Sequence, residues 1–298
     1  MRKVLTILMF LVCFVGQSQD WMTNLEIAER LALFQNKLLL VVWENAFYQK
    51  TPAILYNEQG KEVLIEDSYN SPVIDSLVWA HFVPVVLSED AYPDLYAKIK
   101  DRSYDYIQKF NDDSMKIMDV NGNILNKMDE DVYLTNLSKF IGKYALDVSL
   151  IKNEYINYRQ EKNFYSAFYL AAKYMDFAFF LKEDIRPEVT DLSLIYLEEA
   201  LEFLNGIPDE EDKKVMLERI ELLEIQSSLL TNKPKKVLRQ LNRIDTTELD
   251  KANEKLLAFL YFSAYRMLND EDNASQWRSK MSMLDLKKIM QLINHTDN

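Results

Sequence analysis

The chain has 298 residues, 48% of them hydrophobic, and a formal net charge of −12. This length is enough for one large or two ordinary domains, and the apolar content argues against long disordered stretches. An acidic protein repels phosphate backbones and anionic lipid surfaces, so the charge argues against nucleic-acid binding.

The first 18 residues are typical of a secretory signal. Arg2 and Lys3 supply the positive start, residues 4–15 are almost entirely apolar, and small side chains precede a cleavage site. We expect cleavage near Ser18-Gln19, a periplasmic or secreted location in the bacterial envelope, and no transmembrane segment afterwards. The alternative is an uncleaved signal anchor, in which the signal peptidase would not cut after the small residues at positions 16 and 18.

The only cysteine, Cys13, lies inside this predicted signal. A lipoprotein anchor at Cys13 is the alternative to simple cleavage, but Val12 stands where such sites need a small residue. We therefore favour cleavage, which leaves a chain that begins at Gln19 and contains no thiol.

The next residues alternate between helix and strand patterns. Residues 21–36 have apolar side chains at helical spacing, which predicts a helix. The apolar run from Leu38 to Trp43 lacks that period and predicts a strand buried on both faces. A polar, aromatic loop is predicted over 44–52, and a turn at Gln59-Gly60 is predicted between short strands within 54–65.

The same alternation continues to residue 144. Ser71-Pro72 predicts the start of a helix that runs to Trp79, since proline is favoured at the first helical position after a serine cap. Asn121-Gly122 is the strongest hairpin signal in the chain. The other predicted elements are a strand at 81–87, a helix at 92–110, hairpin strands at 114–120 and 124–128, and a closing helix at 132–144.

From Asp147 onward the strand patterns stop. Long segments with helical periodicity are separated by short breaks, for example at Arg186-Pro187 and Gly206-Ile207-Pro208. Paired helices joined by short turns are typical of a helical-hairpin array. The predicted helices cover 148–160, 163–182, 190–205, 210–231, 234–243, 248–268, 272–283 and 285–294.

The order of elements up to residue 144 resembles that of the thioredoxin-like proteins of bacterial export pathways. The resemblance implies an α/β thioredoxin-like domain over residues 19–145, a fold whose usual chemistry uses two cysteines. The residues that carry it are Trp21, Glu26, Ala28, Asn36 to Val41, Ser71 to Ile74, His81 to Val85 and Met118 to Ile124.

The residues that perform thiol chemistry in that family are absent here. Where the family has a Cys-x-x-Cys pair at a helix start, this chain has Glu44 to Thr51, with no cysteine. Where the family has a cis-proline, this chain has Asp112-Asp113-Ser114. The resemblance therefore implies a redox-inactive domain, and it excludes thiol oxidoreductase, peroxidase and disulfide isomerase activity for the mature chain.

The second region resembles a degenerate tetratricopeptide-like array. Lys162 to Phe168 with Ala171 and Ala172 is similar to a repeat's second helix, where small residues let helices approach closely. Leu222 to Leu230 and then Asn232 to Leu238 are similar to the turn between two helices of another repeat. The resemblance implies an all-α helical-hairpin solenoid over residues 147–298.

Metal, nucleotide and hydrolytic motifs are missing from the sequence. The two histidines, His81 and His295, are too few for a multi-histidine zinc site, and we expect His81 to cap a helix. No glycine-rich phosphate loop occurs. Asp112-Asp113 with Asp119 could bind calcium or act as an acid–base pair, but calcium-loop spacing is not met. We expect no cofactor, no metal and no catalytic residues.

Two features remain as candidate binding surfaces. Phe47, Tyr48, Gln49 and Lys50 lie on the face where thioredoxin-like proteins meet extended peptides; Ser114 belongs to the segment that replaces the family's proline. The alternative, which we weigh equally, is that Phe47 and Tyr48 fill the space left by the cysteines. The other feature is an aromatic helix, for which core packing is favoured over a peptide groove. Its aromatic residues are Phe164, Tyr165, Phe168, Tyr169, Tyr174, Phe177, Phe179 and Phe180.

The sequence thus favours a non-catalytic exported protein-interaction module, such as a scaffold, an assembly factor or a chaperone-like protein, with a protein or peptide partner. One alternative is an envelope enzyme, a hydrolase that uses Asp or Glu side chains with raised pKa values in a pocket. Another is disulfide chemistry performed through the cysteines of a partner.

Overall fold

The computed structural model describes residues 20–127 and 134–294. The chain divides into two compact units between Asp147 and Val148. The predicted signal, the end of the second hairpin strand at Met128, the start of the predicted closing helix at 132–133, and His295 lie outside the described residues.

The first unit is a mixture of helices and strands. Its helices are α1 (Leu25–Gln35), α2 (Glu44–Phe47), α3 (Pro72–His81), α4 (Tyr92–Ile99), α5 (Tyr104–Asn111) and α6 (Leu137–Tyr144). Its strands are β1 (Leu39–Trp43), β2 (Ala53–Tyr56), β3 (Glu62–Ile65), β4 (Val83–Leu87), β5 (Lys116–Met118) and β6 (Thr135–Asn136).

One three-stranded sheet has the order β4-β1-β5. β1 runs parallel to β4, with Trp43 opposite Leu87, and antiparallel to β5, with Val41 opposite Lys116. Every residue of β1 and of β4 is buried, because an apolar run without alternation is stable only when both faces of the sheet are covered. An isolated bridge from Met22 to Val85 extends the far edge of β4.

The other three-stranded sheet has the order β3-β2-β6. β2 and β3 form an antiparallel hairpin in which Tyr56 pairs with Glu62. The turn contains Gly60 at φ +73°, a left-handed conformation that glycine adopts without steric cost, as the Gln59-Gly60 prediction requires. β6 pairs with β2 in parallel.

Four predicted elements of this unit differ from the structure. The helix predicted over 132–144 begins only at Leu137, because Thr135–Asn136 form β6 and the Asn136 side chain accepts a hydrogen bond from the Lys139 amide and caps the helix. The predicted helix at 92–110 is two helices, because the Ser103 hydroxyl accepts a hydrogen bond from the Tyr106 amide and caps a new helix. The loop predicted over 44–52 begins with the single helical turn α2. Of the Asn121-Gly122 hairpin, β5 forms a strand, whereas Ile124 makes only an isolated bridge to Met118.

The second unit is helical throughout residues 148–294, and these contain no strand. The predicted helix at 272–283 is wrong, since α13 stops at Ser275 and a 3-10 turn follows at Arg278–Lys280. The helices are α7 (Lys152–Gln160), α8 (Phe164–Ala178), α9 (Arg186–Glu202), α10 (Glu210–Leu230), α11 (Pro234–Leu241), α12 (Lys251–Met267), α13 (Glu271–Ser275) and α14 (Met283–Asn294).

The core of the second unit is built around α8 and α9. Ala171 on α8 is fully buried, and its carbonyl accepts a hydrogen bond from the Ser193 hydroxyl of α9 at 2.7 Å. The Tyr174 and Tyr196 rings stack at 5.7 Å between centroids. A small residue and a serine at this crossing let the helices approach closely, which accounts for the burial of most of α8.

Candidate functional site

The carboxyl end of β1 leads directly into the predicted peptide-binding residues. β1 ends at Trp43, whose indole Nε1 donates a hydrogen bond to the Phe110 carbonyl at 2.9 Å. The Trp43 ring also packs edge-on against Phe110 at 5.3 Å. These contacts hold the last residue of a buried strand in place, so that the turn α2 starts from a rigid support.

Phe47, at the end of α2, lies in an aromatic cluster. Its ring centroid is 5.1 Å from that of Trp21, 5.3 Å from that of Tyr69 and 5.6 Å from that of Tyr48. Trp21 is itself fixed by a 2.9 Å hydrogen bond from its Nε1 to Asp75. Phe47 is half-buried among these rings, as expected for a side chain that fills space in the fold.

Tyr48 lies on the outside of the same cluster. Its side chain is 74% exposed, although its ring contacts Phe47. Gln49 and Lys50 are exposed beside it, and we call these three residues the Tyr48 surface. Within this loop Phe47 therefore packs against other rings, whereas Tyr48 faces solvent.

Ser114 lies in a separate polar cluster formed by Lys109, Asp112, Ser114 and Lys116. Lys116, on β5, is fully buried, and its Nζ donates to the carbonyls of Asp112 and Ser114, the latter at 3.0 Å. Lys109 donates to the Ser114 hydroxyl, which in turn donates to Asp112 Oδ1 at 2.6 Å. We call this group the lysine cluster.

Burial controls the charge of Lys116. Desolvation lowers the pKa of its ammonium group to about 8; the neighbouring Asp112 opposes this shift and Lys109 adds to it. A lysine with a lowered pKa can act as a nucleophile or base, but only where a substrate reaches it. Lys116 is 0% exposed and its Nζ is occupied by the Asp112–Ser114 segment, so its geometry is that of an anchor.

Tyr69 interacts with Phe47, the residue before the Tyr48 surface, and with Asp113, which lies between two members of the lysine cluster. Its ring packs on Phe47, and its pKa is raised, first by burial and then by the negative charge of Asp113. Asp113 belongs to the segment that Lys116 holds. The Asp112–Ser114 segment and the loop that carries Phe47 are therefore both close to one tyrosine ring.

Sequence reasoning identified Phe47, Tyr48 and Ser114 but missed the residues that hold them. Trp21 and Tyr69 are distant in sequence and join Phe47 only in the folded chain. Lys116 did leave a signal, because it is a lysine within the apolar pattern of a predicted strand. A charged side chain at such a position is buried with partners or lies at an edge.

The acidic residues considered for metal binding have structural roles. The Asp119 carboxylate is buried and accepts hydrogen bonds from the amides of Asn121 at 2.9 Å and Asn123 at 3.0 Å. It therefore stabilises its own turn. Within residues 20–127 and 134–294, no His, Cys, Asp and Glu side chains converge on a possible metal position.

The aromatic residues predicted for the helix that begins at Phe164 fall into a buried group and an exposed group. Phe164, Phe168, Tyr174, Phe177 and Phe179 are buried, as core packing requires. Tyr169 is 54% exposed, and Tyr165, whose ring stacks with that of Tyr169, is 38% exposed. His81 was predicted to cap a helix; it is the exposed last residue of α3, and the C-cap position is taken by Phe82.

No helix in the described part of the chain is both long and apolar enough to cross a membrane. No protein-family model matches the chain, and searches of curated proteins and of solved structures find no significant match either.

Proposed function

We propose that this protein is a non-catalytic, exported interaction module that binds a protein or peptide partner through the Tyr48 surface. The observation that carries the proposal is the 74% exposure of Tyr48 on a ring cluster in which Phe47 and Trp21 are held. Tyrosine presents a large contact area at little cost in conformational entropy, and it is enriched among residues that dominate binding energy.

We also propose that the first unit is a redox-inactive thioredoxin-like domain. The strand order supports this: Met22 bridges β4, β4 is parallel to β1, and β1 is antiparallel to β5. In that family the loop after the central strand carries the cysteines, and here it carries Phe47 and Tyr48. The second unit is proposed to be a tetratricopeptide-like solenoid, supported by its succession of helices joined by short turns.

The test compares two tyrosines of equal exposure in the first unit. Tyr48→Ala removes the proposed anchor, and Tyr104→Ala removes a side chain that is 75% exposed and lies outside the Tyr48 surface. Partners captured from the envelope fraction are identified and purified, and their affinities for wild type and both variants are measured by calorimetry. We expect Tyr48→Ala to weaken binding by about tenfold or more and Tyr104→Ala to leave it unchanged.

Equal affinities for wild type and Tyr48→Ala would rule out the Tyr48 surface as the binding site. Loss of binding in both variants would indicate a general effect on the fold, which circular dichroism would reveal. Sequencing of the mature amino terminus tests the proposed export independently, with Gln19 as the expected first residue.

A hydrolase that uses carboxyl groups is the second candidate, and one observation favours it. The pKa of Glu224 is raised, first by partial burial and then by the charges of Glu221 and Glu198. A raised pKa makes a carboxyl group better suited to act as a general acid. Loss of hydrolysis of envelope-derived ester, peptide or glycoside substrates in Glu224→Gln, with the fold unchanged, would support this candidate; absence of hydrolysis in the wild-type protein would remove it.

A further inference from the structure

The hairpin strand β3 is the outer strand of its sheet. In the described residues β2 is the only strand paired with it. An outer strand presents unpaired backbone N–H and C=O groups on one side, and these can pair with another extended chain. The question is which residues of β3 present those groups and what the side chains beside them would accept.

The hydrogen bonds of the hairpin show which residues of β3 present unpaired backbone groups. Next to the turn, the Asn57 amide donates to the Lys61 carbonyl at 2.9 Å. Pairs in an antiparallel ladder alternate between bonded and non-bonded. Because Asn57 and Lys61 form a hydrogen-bonded pair, the Tyr56–Glu62 pair is not hydrogen-bonded and the Leu55–Val63 pair is. The backbone N–H and C=O groups of Glu62 and Leu64 therefore point away from β2.

An independent hydrogen bond supports this assignment. Tyr56 is the partner of Glu62, and its amide donates to the Ser138 hydroxyl at 2.9 Å, on the side of β2 away from β3. Because directly opposite residues share the same bonding type, Glu62 also directs its N–H and C=O outward, to the free edge.

The side chains along this edge carry a simple pattern. Leu64 is 58% exposed, and Glu62 and Glu66 are exposed two residues to either side of it. Alternation along β3 places Glu62 and Leu64 on the same face, and Glu66, which follows the last strand residue Ile65, adds a second exposed carboxylate at the end of this edge. A leucine this exposed on an open edge is a position that edge protection normally avoids.

We propose that the β3 edge binds an extended peptide in which an apolar residue is flanked, two positions away on each side, by lysine or arginine. The peptide backbone pairs with the outward groups of Glu62 and Leu64. Its apolar side chain contacts Leu64, and its two cations lie opposite Glu62 and Glu66. The proposal uses no residue of the Tyr48 surface.

Charge selects such a peptide over a second copy of this chain. Antiparallel self-pairing centred on Leu64 would bring Glu62 of one copy towards Glu66 of the other, just beyond the end of β3, twice by symmetry. Like charges directly opposite one another destabilise a pair of strands. A basic peptide replaces both repulsions with attractions.

The first experiment uses the purified protein and two labelled peptides of otherwise identical sequence. One contains Lys-Thr-Val-Thr-Lys and the other Glu-Thr-Val-Thr-Glu, and binding is followed by fluorescence anisotropy at low salt. Two exposed ion pairs predict that the lysine peptide binds about fivefold more tightly. Glu62→Lys combined with Glu66→Lys should reverse this preference, and equal binding of both peptides to wild type overturns the proposal.

A second variant tests the backbone pairing. Leu64→Pro removes an outward N–H that β2 does not use, so the hairpin should persist while peptide binding weakens by about tenfold. Unchanged binding by Leu64→Pro overturns the proposed pairing. If Leu64→Pro does not fold, the peptide preference of the Glu62→Lys/Glu66→Lys variant alone tests the proposal. A wild-type dimer in sedimentation equilibrium that the charge reversal abolishes would also overturn the proposal, in favour of self-pairing.

Discussion

Lys116 in the first unit and Arg186 in the second are both fully buried cations, yet they differ in their hydrogen bonds. Lys116 donates to two carbonyls and to the Asp112 carboxylate, and thereby holds the Asp112–Ser114 segment. Arg186, at the start of α9, donates through Nη2 to the Leu181 carbonyl at 3.0 Å. Its Nε and Nη1 atoms have no partner among the described residues.

The number of hydrogen-bond acceptors around each cation indicates how much that cation contributes to the structure of its unit. A cation with several acceptors fixes a segment, and in the first unit that segment lies beside the candidate binding surface. A guanidinium with one acceptor contributes little specific hydrogen bonding relative to the cost of its desolvation. Three predictions test the comparison, and a fourth concerns a surface carboxylate of the second unit.

The largest effect is expected from Lys116→Met. This change keeps an unbranched chain in the core but leaves the carbonyls of Asp112 and Ser114 without their donor. We expect a loss of about 3 kcal/mol in the free energy of unfolding at pH 7, measured by urea denaturation. Lys98→Met, at an exposed position, is the matched control and should change stability by less than about 0.5 kcal/mol.

The pH dependence of stability should also differ between wild type and Lys116→Met. The native pKa of Lys116 is about 8, below the ordinary lysine value of 10.5. Between these values the unfolded chain binds more protons, so native stability rises with pH. From pH 8 to 9.5 we expect wild type to gain about 1.5 kcal/mol relative to Lys116→Met. Parallel curves would show that Lys116 keeps an ordinary pKa in the native protein.

Arg186→Met is expected to change stability far less than Lys116→Met. It removes two unpartnered donors together with a single hydrogen bond, so the free energy of unfolding should stay within about 1 kcal/mol of wild type. Thermal and urea unfolding measure this directly. A loss as large as that of Lys116→Met would break the comparison between the two cations.

The smallest effect concerns Glu224, a surface carboxylate of the second unit. Its raised native pKa means that the folded protein binds more protons than the unfolded chain between the unfolded and native values. This contribution to stability is present at low pH and is lost as pH rises through the native pKa. Acidification from pH 7 to 4 should therefore favour wild type over Glu224→Gln, by less than about 1 kcal/mol because solvent screens the charges. Identical pH profiles would show that neither burial nor the neighbouring glutamates raise the native pKa of Glu224.

Much of the fold follows from local patterns in the sequence. The unbroken apolar run before Trp43 is strand β1, and Pro72 begins α3 as its position after a serine predicts. The break at Ser103 was missed because the apolar period continues across it, and only the capping hydrogen bond shows where a new helix starts. The Asn121-Gly122 turn was identified, but a good turn does not ensure a long ladder on its far side.

The candidate binding surfaces also combine features that the sequence predicts with features that only the folded structure shows. Tyr48 and Ser114 were predicted from their place in a resemblance, without the contacts that position them. The β3 edge was predicted only as a short strand; its outward backbone groups depend on a register that one hydrogen bond at the turn establishes. Register is a property of a pair of strands, so one strand's sequence does not contain it.

The sequence by itself determined most of the order of helices and strands, the confinement of cysteine to Cys13, and the position of the aromatic segment after β1. These features depend on residue type and on short-range spacing. The tertiary structure decided that Lys116 is a buried anchor and that Phe47 packs against Trp21 and Tyr69. Burial and ring contacts join residues far apart along the chain, and only folding brings their atoms together.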